Sequence, residues 1–257
     1  MSARPSLFRR AFEALAAAIL GLLSRERNIP SGGTSAKEPL KVLQREYPSL
    51  RELIAGKSVL DYGCGHGEQS RALASTYGCT VTGYDNNPRV LNEARQKPTM
   101  NVRFVDELDD EQYDFVISLN SMEHFRDPQA VLDSMHRALK PEGVILLSFG
   151  APWFSPFGSH MHFFCRLPWV NVLFPEAAVM KVRAKYRSDG ARRYEEVESG
   201  LNKMSLAKFE RLIERPGIRV MSRRYTAVKR LNALCGIPMI RELMTNHVTV
   251  ILQKAAE

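Results

Sequence analysis

Apolar runs alternate with amphipathic stretches through the middle of the chain. Five short runs are apolar along most of their length and predict buried β-strands. Their sequences are KSVLDYG, CTVTGYD, NVRFVD, YDFVISLN and GVILLSF. Apolar positions at helical spacing predict helices between them, over residues 67–77, 88–96 and 128–139. Strands that are buried on both faces and alternate with helices are typical of a parallel sheet covered on both sides.

After residue 150 this alternation stops. Residues 151–203 are rich in proline and aromatic residues without a clear period, which predicts an insertion lying over a site. The segment SLAKFERLIERPG predicts a further helix, and IRVMSRRYTAV and HVTVILQK predict two late strands that suit an antiparallel edge. With right-handed crossovers, the predicted fold class is α/β: a Rossmann-like, doubly wound, seven-stranded and mostly parallel sheet with an antiparallel last strand.

Residues 1–28 predict an amphipathic N-terminal helix. Its apolar positions recur at helical spacing and form one stripe, made of Phe8, Phe12, Leu15, Ile19 and Leu22. The apolar run is shorter than the ~20 residues that a membrane span needs. The helix either caps the main domain or makes peripheral contact with a membrane, as basic amphipathic helices do, and an uncleaved targeting segment is the third interpretation. Residues 29–56 are predicted to be a linker and a helix, and residues 57–257 the main domain.

The composition favours a cytoplasmic protein, with membrane association as an addition. None of the four cysteines forms a CxxC pair, so each is expected to be a small buried residue in a reducing compartment. The net charge of +8 lies outside the centre of the chain: residues 57–150 carry nine basic and fourteen acidic residues, whereas residues 151–257 carry eighteen and nine. Such a basic flank suits a solvated surface, a phosphate, an acidic substrate or an anionic membrane.

The strongest chemical signal is the segment VLDYGCGHGEQS, residues 59–70. Asp61 ends an apolar strand, and a turn containing Gly63, Cys64, Gly65 and Gly67 follows before a helix. Glycine permits positive φ and lets the backbone approach a ligand closely. Because ligands of open α/β sheets bind beyond the carboxyl ends of the strands, we expect this turn to hold a cofactor.

Two further strand ends carry acids. Asp85, with Asn86 beside it, closes the second strand and can accept hydrogen bonds from both hydroxyls of a ribose. Asp106, with Glu107 beside it, closes the third strand and can accept from an adenine amino group. A nicotinamide dinucleotide is the alternative ligand, but its GxGxxG pattern would place Glu68 where the pyrophosphate meets the helix N-terminus. A negative side chain is electrostatically unfavourable there, so the pattern disfavours a dinucleotide.

These residues resemble the motifs of class I S-adenosylmethionine-dependent methyltransferases. DYGCGHGEQS is similar to the first motif, VTGYDNNPRVLNEAR to the second and FVDELD to the third, and YDFVISLNSMEHFRDPQAVLDSMHRALKPEGVILLS resembles the ubiquinone/menaquinone-biosynthesis type, which methylates small molecules. The resemblance covers about residues 57–150 and implies S-adenosylmethionine as the cofactor. It places Asp61 and the glycine turn at the methionine part of the cofactor, Asp85 at the ribose and Asp106 at the adenine. The backbone near Asn120 would accept from the cofactor's amino group.

Four residues are candidates for removing a proton from the methyl acceptor. Glu123 and His124 follow the fourth strand, and His160 and His162 lie in the insertion. Histidine titrates near neutral pH and can deprotonate a hydroxyl, although each of these residues could instead be structural. Some O-methyltransferases of the resembling type bind a metal with a Glu three residues before an EH pair. Because Asn120 stands at that position here, we predict no metal site.

The predicted function is S-adenosylmethionine-dependent methyl transfer to a small-molecule acceptor, with O-methylation favoured. The acceptor would be a metabolite, a lipid-like compound or a sugar. Aromatic residues of the insertion are expected to form a lid over it, and they are Trp153, Phe154, Phe157, Phe163, Phe164 and Trp169. An RNA methyltransferase is the alternative, because RAKYRSDGARRYEEVESG mixes basic and aromatic residues, although nucleic-acid motifs are otherwise missing. A non-catalytic protein that binds S-adenosylmethionine is the second alternative.

Overall fold

One seven-stranded sheet organises residues 6–26, 38–197 and 200–255, which are the residues that the computed structural model describes. The strands are β1 (Ser58–Tyr62), β2 (Thr80–Tyr84), β3 (Val102–Val105), β4 (Tyr113–Leu119), β5 (Leu139–Phe149), β6 (Ile218–Ala227) and β7 (Thr245–Lys254). Their order is β3-β2-β1-β4-β5-β7-β6. Strands β1 to β5 pair in parallel, and β7 is antiparallel to both β5 and β6. The predicted fold class is confirmed.

The fifth strand is longer than its apolar run. The sequence predicts a strand from Gly143, whereas β5 begins at Leu139. Leu139 pairs with Tyr113 of β4, and the register then shifts before Phe115 pairs with Val144. The apolar pattern misses this extension because the intervening Lys-Pro-Glu-Gly segment is polar and irregular.

Ten α-helices occur in the described residues. They are α1 (Leu7–Leu22), α2 (Lys41–Glu46), α3 (Leu50–Ile54), α4 (Glu68–Tyr77), α5 (Pro88–Arg95), α6 (Pro128–Ala138), α7 (Val170–Leu173), α8 (Glu176–Arg183), α9 (Leu206–Ile213) and α10 (Pro238–Met244). The helices predicted after β1, β2 and β4 are confirmed as α4, α5 and α6. Caps fix the starts of α5 and α6, because the side chains of Asn87 and Asp127 accept from backbone N–H groups of the first turn and a proline follows each cap.

Both faces of the sheet are covered by helices. On one face Leu132 of α6 and Phe209 of α9 are completely buried against the sheet. On the other face Leu43, Leu50 and Leu73 bring α2, α3 and α4 onto it. Burial of apolar surface on both faces explains why the strands are apolar along their whole length.

A third hydrophobic core, which we call the lid core, lies apart from the sheet. It joins α1 to the insertion, residues 151–203, and includes Leu20, Phe164 and Val179. Helices α1 and α8 pack together, and the backbone N–H of Arg25 donates to the carbonyl oxygen of Phe164 at 2.8 Å. Helices α7 and α8 were not predicted, because the insertion is interrupted by prolines that hide the period. The N-terminal helix therefore packs on the insertion.

Helix α1 turns its predicted apolar stripe away from the protein. Ala16, Ala17 and Leu20 form its buried side, since small alanines allow two helices to approach closely. The stripe residues are all exposed, with Phe8 at 83% and Leu22 at 89% of their accessible surface. No helix within the described residues is long and apolar enough to span a bilayer. Residues 1–5 and 27–37 of the predicted N-terminal helix and linker lie outside the described residues.

Candidate active site

The glycine turn after β1 is held against the end of β2. The N–H groups of Gly63 and Cys64 both donate to the carbonyl oxygen of Tyr84, at 2.8 and 3.0 Å. The N–H of Gly65 donates to Oδ2 of Asp85 at 2.9 Å. Gly63, Gly65 and Gly67 all have positive φ, as the sequence predicts for a turn that only glycine tolerates well. The turn thus lies at the topological switch point between β1 and β4, where the strand order reverses.

Phe104 of β3 forms the floor beneath this turn. A Cβ atom on Gly67 would lie 2.3 Å from Cζ of Phe104, and one on Gly83 would lie 2.6 Å from its Cδ1. A Cβ on Gly65 would meet nothing within 4 Å, so the turn is open on that side. The glycines therefore fit between an aromatic floor and an open cleft. Sequence reasoning missed Phe104, because an aromatic residue in a strand is ordinarily core.

Asp61 lies beneath the turn and faces inward. It is 1% exposed, and its two carboxylate oxygens accept from Nε2 of Gln69 at 2.8 Å and Oγ of Ser70 at 2.6 Å. Burial raises the pKa of Asp61 to about 6, and these two bonds oppose that rise. Its oxygens therefore tie β1 to the start of α4. The predicted contact of Asp61 with the cofactor's methionine part stays a prediction.

Asp85 and Asp106 line one cavity. The cavity has a volume of about 320 Å³ and is also lined by Asn86, Leu91 and Arg95. Oδ1 of Asp85 accepts from the N–H of residue 87 at 2.9 Å, and Asp106 forms an ion pair with Arg95 at 3.3 Å. Two predicted acids from neighbouring strands therefore meet at one concave surface.

The remaining predicted cofactor residues have different surroundings. Cys64 is buried, and this burial raises the pKa of its thiol, which makes it a packing residue. Glu107 is exposed and does not line the cavity. Asn120 follows β4 with a positive φ of 51°, and its N–H already donates to the carbonyl oxygen of Ser148. A strained residue of this kind is often part of a functional site.

Glu123 is a buried carboxyl group at the ends of β4 and β5. It is 3% exposed, and Oε1 accepts from the N–H of Gly150 at 3.3 Å. Oε2 is buried and has no hydrogen-bond partner among the described residues. Burial raises the pKa of Glu123 to about 7, although the N–H groups of Glu123 and Gly150 favour its charged form. Glu123 thus changes charge near neutral pH.

This pKa predicts a stability that falls as pH rises. Between pH 4.5, near the ordinary pKa of Glu, and pH 7 the folded protein keeps a proton that the unfolded chain has lost. The wild type is expected to lose roughly 3 kcal/mol of unfolding free energy across this window relative to Glu123→Gln, which retains an oxygen acceptor for Gly150. Urea unfolding at both ends of the window measures this difference. The matched control Glu107→Gln changes an exposed carboxyl group, and its unfolding free energy should change with pH as that of the wild type does. Parallel pH profiles for Glu123→Gln and the wild type would contradict the prediction.

His124 and His160 meet beside Glu123. Nδ1 of His124 lies 2.7 Å from the carbonyl oxygen of Gly200, and the two imidazole rings are 5.4 Å apart in an edge-to-face arrangement. Because a carbonyl oxygen only accepts, Nδ1 of His124 carries the hydrogen of this bond, and in the neutral imidazole the lone pair is then on Nε2. Nε2 of His160 accepts from the N–H of Ala151 at 3.3 Å. Burial, the main cause, lowers the pKa of His160 to about 4.

Asn202 joins the insertion to the loop after β4. Its Nδ2 donates to the carbonyl oxygens of Met122 and Phe125, both at 2.8 Å. Its backbone N–H donates to the carbonyl oxygen of Glu123 at 3.0 Å. Asn202 thus fixes the loop that carries two candidate catalytic residues. Sequence reasoning missed it, since a lone Asn at the end of an irregular segment carries no motif.

The aromatic residues of the insertion divide into two groups. Phe164 is buried in the lid core, and Trp153 packs edge-on against Tyr194 at 4.8 Å. Phe154 and Phe157 are about 40% exposed. His162 is also exposed, and in the sequence the buried Met161 stands between it and His160. Part of the predicted lid therefore supports the insertion itself.

The described residues contain no cluster of three or more His, Cys, Asp or Glu side chains that could hold a metal.

Comparison with known proteins defines the class. The family model described as a methyltransferase domain matches residues 35–221, which is more than half of the chain. The chain therefore belongs to this methyltransferase family. This membership confirms the predicted class of enzyme and its cofactor, S-adenosylmethionine.

The curated relatives are matched over part of their length. The ubiquinone biosynthesis O-methyltransferase of Pseudomonas paraeruginosa (strain DSM 24068 / PA7) is 38% identical over 105 residues, which are 37% of this chain and 45% of that protein. The protein of the same name from Actinobacillus pleuropneumoniae serotype 5b (strain L20) is 35% identical over 134 residues, or 46% of this chain and 57% of that protein. The chain spans about half the length of these relatives.

Solved structures share the fold at low sequence identity. An S-adenosylmethionine-dependent methyltransferase from Mesorhizobium loti has a TM-score of 0.53 at 16% identity, covering 81% of this chain and 97% of that one. Coclaurine N-methyltransferase, bound to N-methylheliamine and SAH, has a TM-score of 0.52 at 15% identity, covering 98% and 89%. The [4+2]-cyclase SpnF has a TM-score of 0.55 at 11% identity, covering 97% and 96%. Because the fold is shared by a cyclase, the fold alone does not define the reaction.

The residues at the strand ends fit S-adenosylmethionine. Asp85 and Asp106 follow the neighbouring parallel strands β2 and β3, and both supply hydrogen-bond acceptors at one cavity. The glycine turn leaves open space at Gly65 and has no room for side chains at Gly67. Such a turn admits close approach of a ligand to the backbone. The cofactor's ribose and adenine would therefore lie against the two acids, and its amino-acid part toward the turn.

Proposed function

We propose that this protein transfers a methyl group from S-adenosylmethionine to an oxygen atom of a small-molecule acceptor, with His124 as the general base. The observation that carries the proposal is the bond between Nδ1 of His124 and the carbonyl oxygen of Gly200, because this bond selects the tautomer in which Nε2 is the basic nitrogen of the neutral ring. The O-methyltransferase names of the curated relatives support the same chemistry. When bound, the cofactor supplies an electrophilic methyl group.

The chain's own residues have separate tasks in this proposal. Asp85, Asp106 and the glycine turn hold the cofactor, while His124 takes the proton from the acceptor's hydroxyl group as its oxygen is methylated. His160 is less suited to be the base, because its Nε2 lone pair is already engaged by Ala151 and its pKa is about 4. Its ring instead packs on His124. Glu123 supports the loop after β4 through Gly150.

Binding and transfer assays test this function directly. Purified protein is expected to bind SAH in calorimetry, and Asp85→Asn should bind about 10-fold more weakly, because a charged acceptor of the ribose hydroxyls is lost. The control Asp109→Asn removes an exposed acid that does not line the cavity. Labelled methyl groups should appear on phenolic or alcoholic acceptors. Label found only in RNA or amines, or binding without any transfer, would contradict the proposal and favour the alternatives.

We further propose that the exposed stripe of α1 contacts a membrane surface peripherally. Its apolar side chains face away from the lid core, and amphipathic helices of this kind bind membranes through buried apolar area. Replacing Phe8 and Leu22 by Gln should weaken vesicle binding by at least about 10-fold, since each loses roughly 1.5–3 kcal/mol of burial. Co-sedimentation with vesicles measures this loss.

A matched pair of variants controls for surface hydrophobicity. Met100→Gln with Met221→Gln removes two exposed apolar side chains that lie outside α1. This pair should sediment with vesicles like the wild type. Equal loss in both pairs, or no vesicle binding by the wild type, would contradict the membrane contact.

A further inference from the structure

A second cavity lies beside α8, apart from the cofactor cavity. Its volume is about 460 Å³, and it is formed by one face of α8 and the loop that follows. Its lining includes Lys181, Arg187, Gly190, Ala191 and Arg192. No residue of the cofactor cavity contributes to it.

The loop that closes this cavity is held in place. Arg183 is 5% exposed and binds Asp189 through two bonds of 2.6 Å, one to each carboxylate oxygen. Oδ1 of Asp189 also accepts from the N–H of Ala191 at 3.2 Å, and Gly190 between them has a positive φ of 73°. A bidentate Arg–carboxylate pair is both strong and geometrically specific. The cavity wall is therefore built into the fold.

The cavity keeps an excess of positive charge. The charge of Arg183 is neutralised by Asp189, whereas Lys181, Arg187 and Arg192 are exposed. Within the described ranges, none of these three forms an ion pair with a carboxylate. The guanidinium of Arg187 is positioned 4.1 Å above the ring of Phe163. Three cations around one concave surface form a site for an anion.

The cavity adjoins the helix with the exposed stripe. Lys185 Nζ lies 3.6 Å from the position of a Cβ on Gly21, so Lys185 is beside α1. Lys181 lies on α8, which packs against α1, and it lines the cavity. The anion site and the apolar stripe therefore belong to neighbouring helices. An apolar surface next to a basic cavity has the charge and polarity of a membrane interface with anionic lipids.

We propose that this cavity binds the phosphate of an anionic phospholipid headgroup while α1 contacts the bilayer. The proposal rests on the membrane contact proposed above and adds a lipid-selective site to it. Lys181 and Arg192 donate to the phosphate oxygens, and Arg187 adds a third cation. Neutral lipids leave the three cations without a net negative partner.

Vesicle co-sedimentation of the whole 257-residue chain tests the site. The vesicles are phosphatidylcholine with or without about 30% phosphatidylglycerol. The wild type should bind the anionic vesicles more tightly, and Lys181→Gln with Arg192→Gln should weaken that binding about 30-fold, from roughly 1 kcal/mol per basic side chain. The control, Lys57→Gln with Lys97→Gln, removes the same charge at exposed positions that line neither cavity. It should retain anionic binding.

The outcomes separate this proposal from the others. Equal binding to both vesicle types, or the same loss in the control pair, overturns the headgroup site. Tight binding of glycerol phosphate without preference for anionic vesicles identifies a free phosphate as the ligand and also overturns it. SAH calorimetry on the same samples reports the cofactor site, so failure of the proposed methyl transfer is read independently. Unchanged SAH binding in Lys181→Gln with Arg192→Gln shows that the variant is folded.

Discussion

Replacing His124 by asparagine is expected to lower kcat by about 10²–10⁴-fold and to leave SAH affinity unchanged. The amide Nδ2 of asparagine can still donate to the carbonyl oxygen of Gly200, as Nδ1 of His124 does at 2.7 Å. Asparagine has no basic nitrogen at the position of Nε2. The variant therefore removes the proton acceptor while it retains the contact that orients the loop. Single-turnover transfer to a hydroxyl acceptor, with SAH calorimetry alongside, measures the two effects separately.

Two histidine variants control for this change. His162→Asn removes an exposed imidazole from the same region and should keep nearly full activity. His160→Asn removes the ring that packs on His124 at 5.4 Å and should have an intermediate effect. A His124→Asn variant with wild-type kcat would contradict the assignment of the base. Activity restored at high pH would support it, because an acceptor hydroxyl that is already deprotonated needs no general base.

Replacing Gly67 by alanine is expected to weaken SAH binding by about 10- to 100-fold. The new Cβ would lie 2.3 Å from Cζ of Phe104, at a φ of +78°, so the turn or the aromatic floor must move. Overpacking of this kind costs roughly 1–3 kcal/mol, and each 1.4 kcal/mol is tenfold in affinity. Calorimetry with SAH measures the loss. Shortening the floor with Phe104→Leu in the same chain should restore part of the affinity.

Gly78 provides the matched control for this prediction. It caps the other end of α4 with a φ of +66°, and a Cβ there would meet nothing within 4 Å. Gly78→Ala carries the same backbone strain without the collision. It should lower stability by about 1 kcal/mol and leave SAH affinity intact. Equal affinity losses in both variants would show that backbone strain, and not Phe104, limits the turn.

The sequence predicted the parts of the site that depend on strand ends. The turn could be predicted from Gly63, Gly65 and Gly67, because glycine suits the positive φ that such a turn requires. Asp85 could be predicted because it closes an apolar strand. The inward direction of Asp61 could not be predicted, since an acid at a strand end has the same pattern whether it faces a ligand or Ser70. The roles of these residues in cofactor binding stay predictions.

The contacts that cross the chain could not be predicted from a single sequence. Asn202 holds the loop after β4 through bonds to residues about eighty positions earlier, and nothing in its neighbourhood signals them. Helix α1 was predicted from its period, but the side that packs was not. A stripe of large apolar residues ordinarily faces a core. In α1 the side that contains Ala16 and Ala17 packs instead, and these small side chains let α8 approach closely.

The bond from His124 to Gly200 spans 76 positions and has a consequence for the protein's integrity. The imidazole is oriented by the far end of the insertion, while Asp85 and the glycine turn depend only on the sheet. A proteolytic cut within the insertion would thus disturb the orientation of His124 and leave the cofactor-binding residues in place. The nicked enzyme would still bind its cofactor and would transfer the methyl group more slowly.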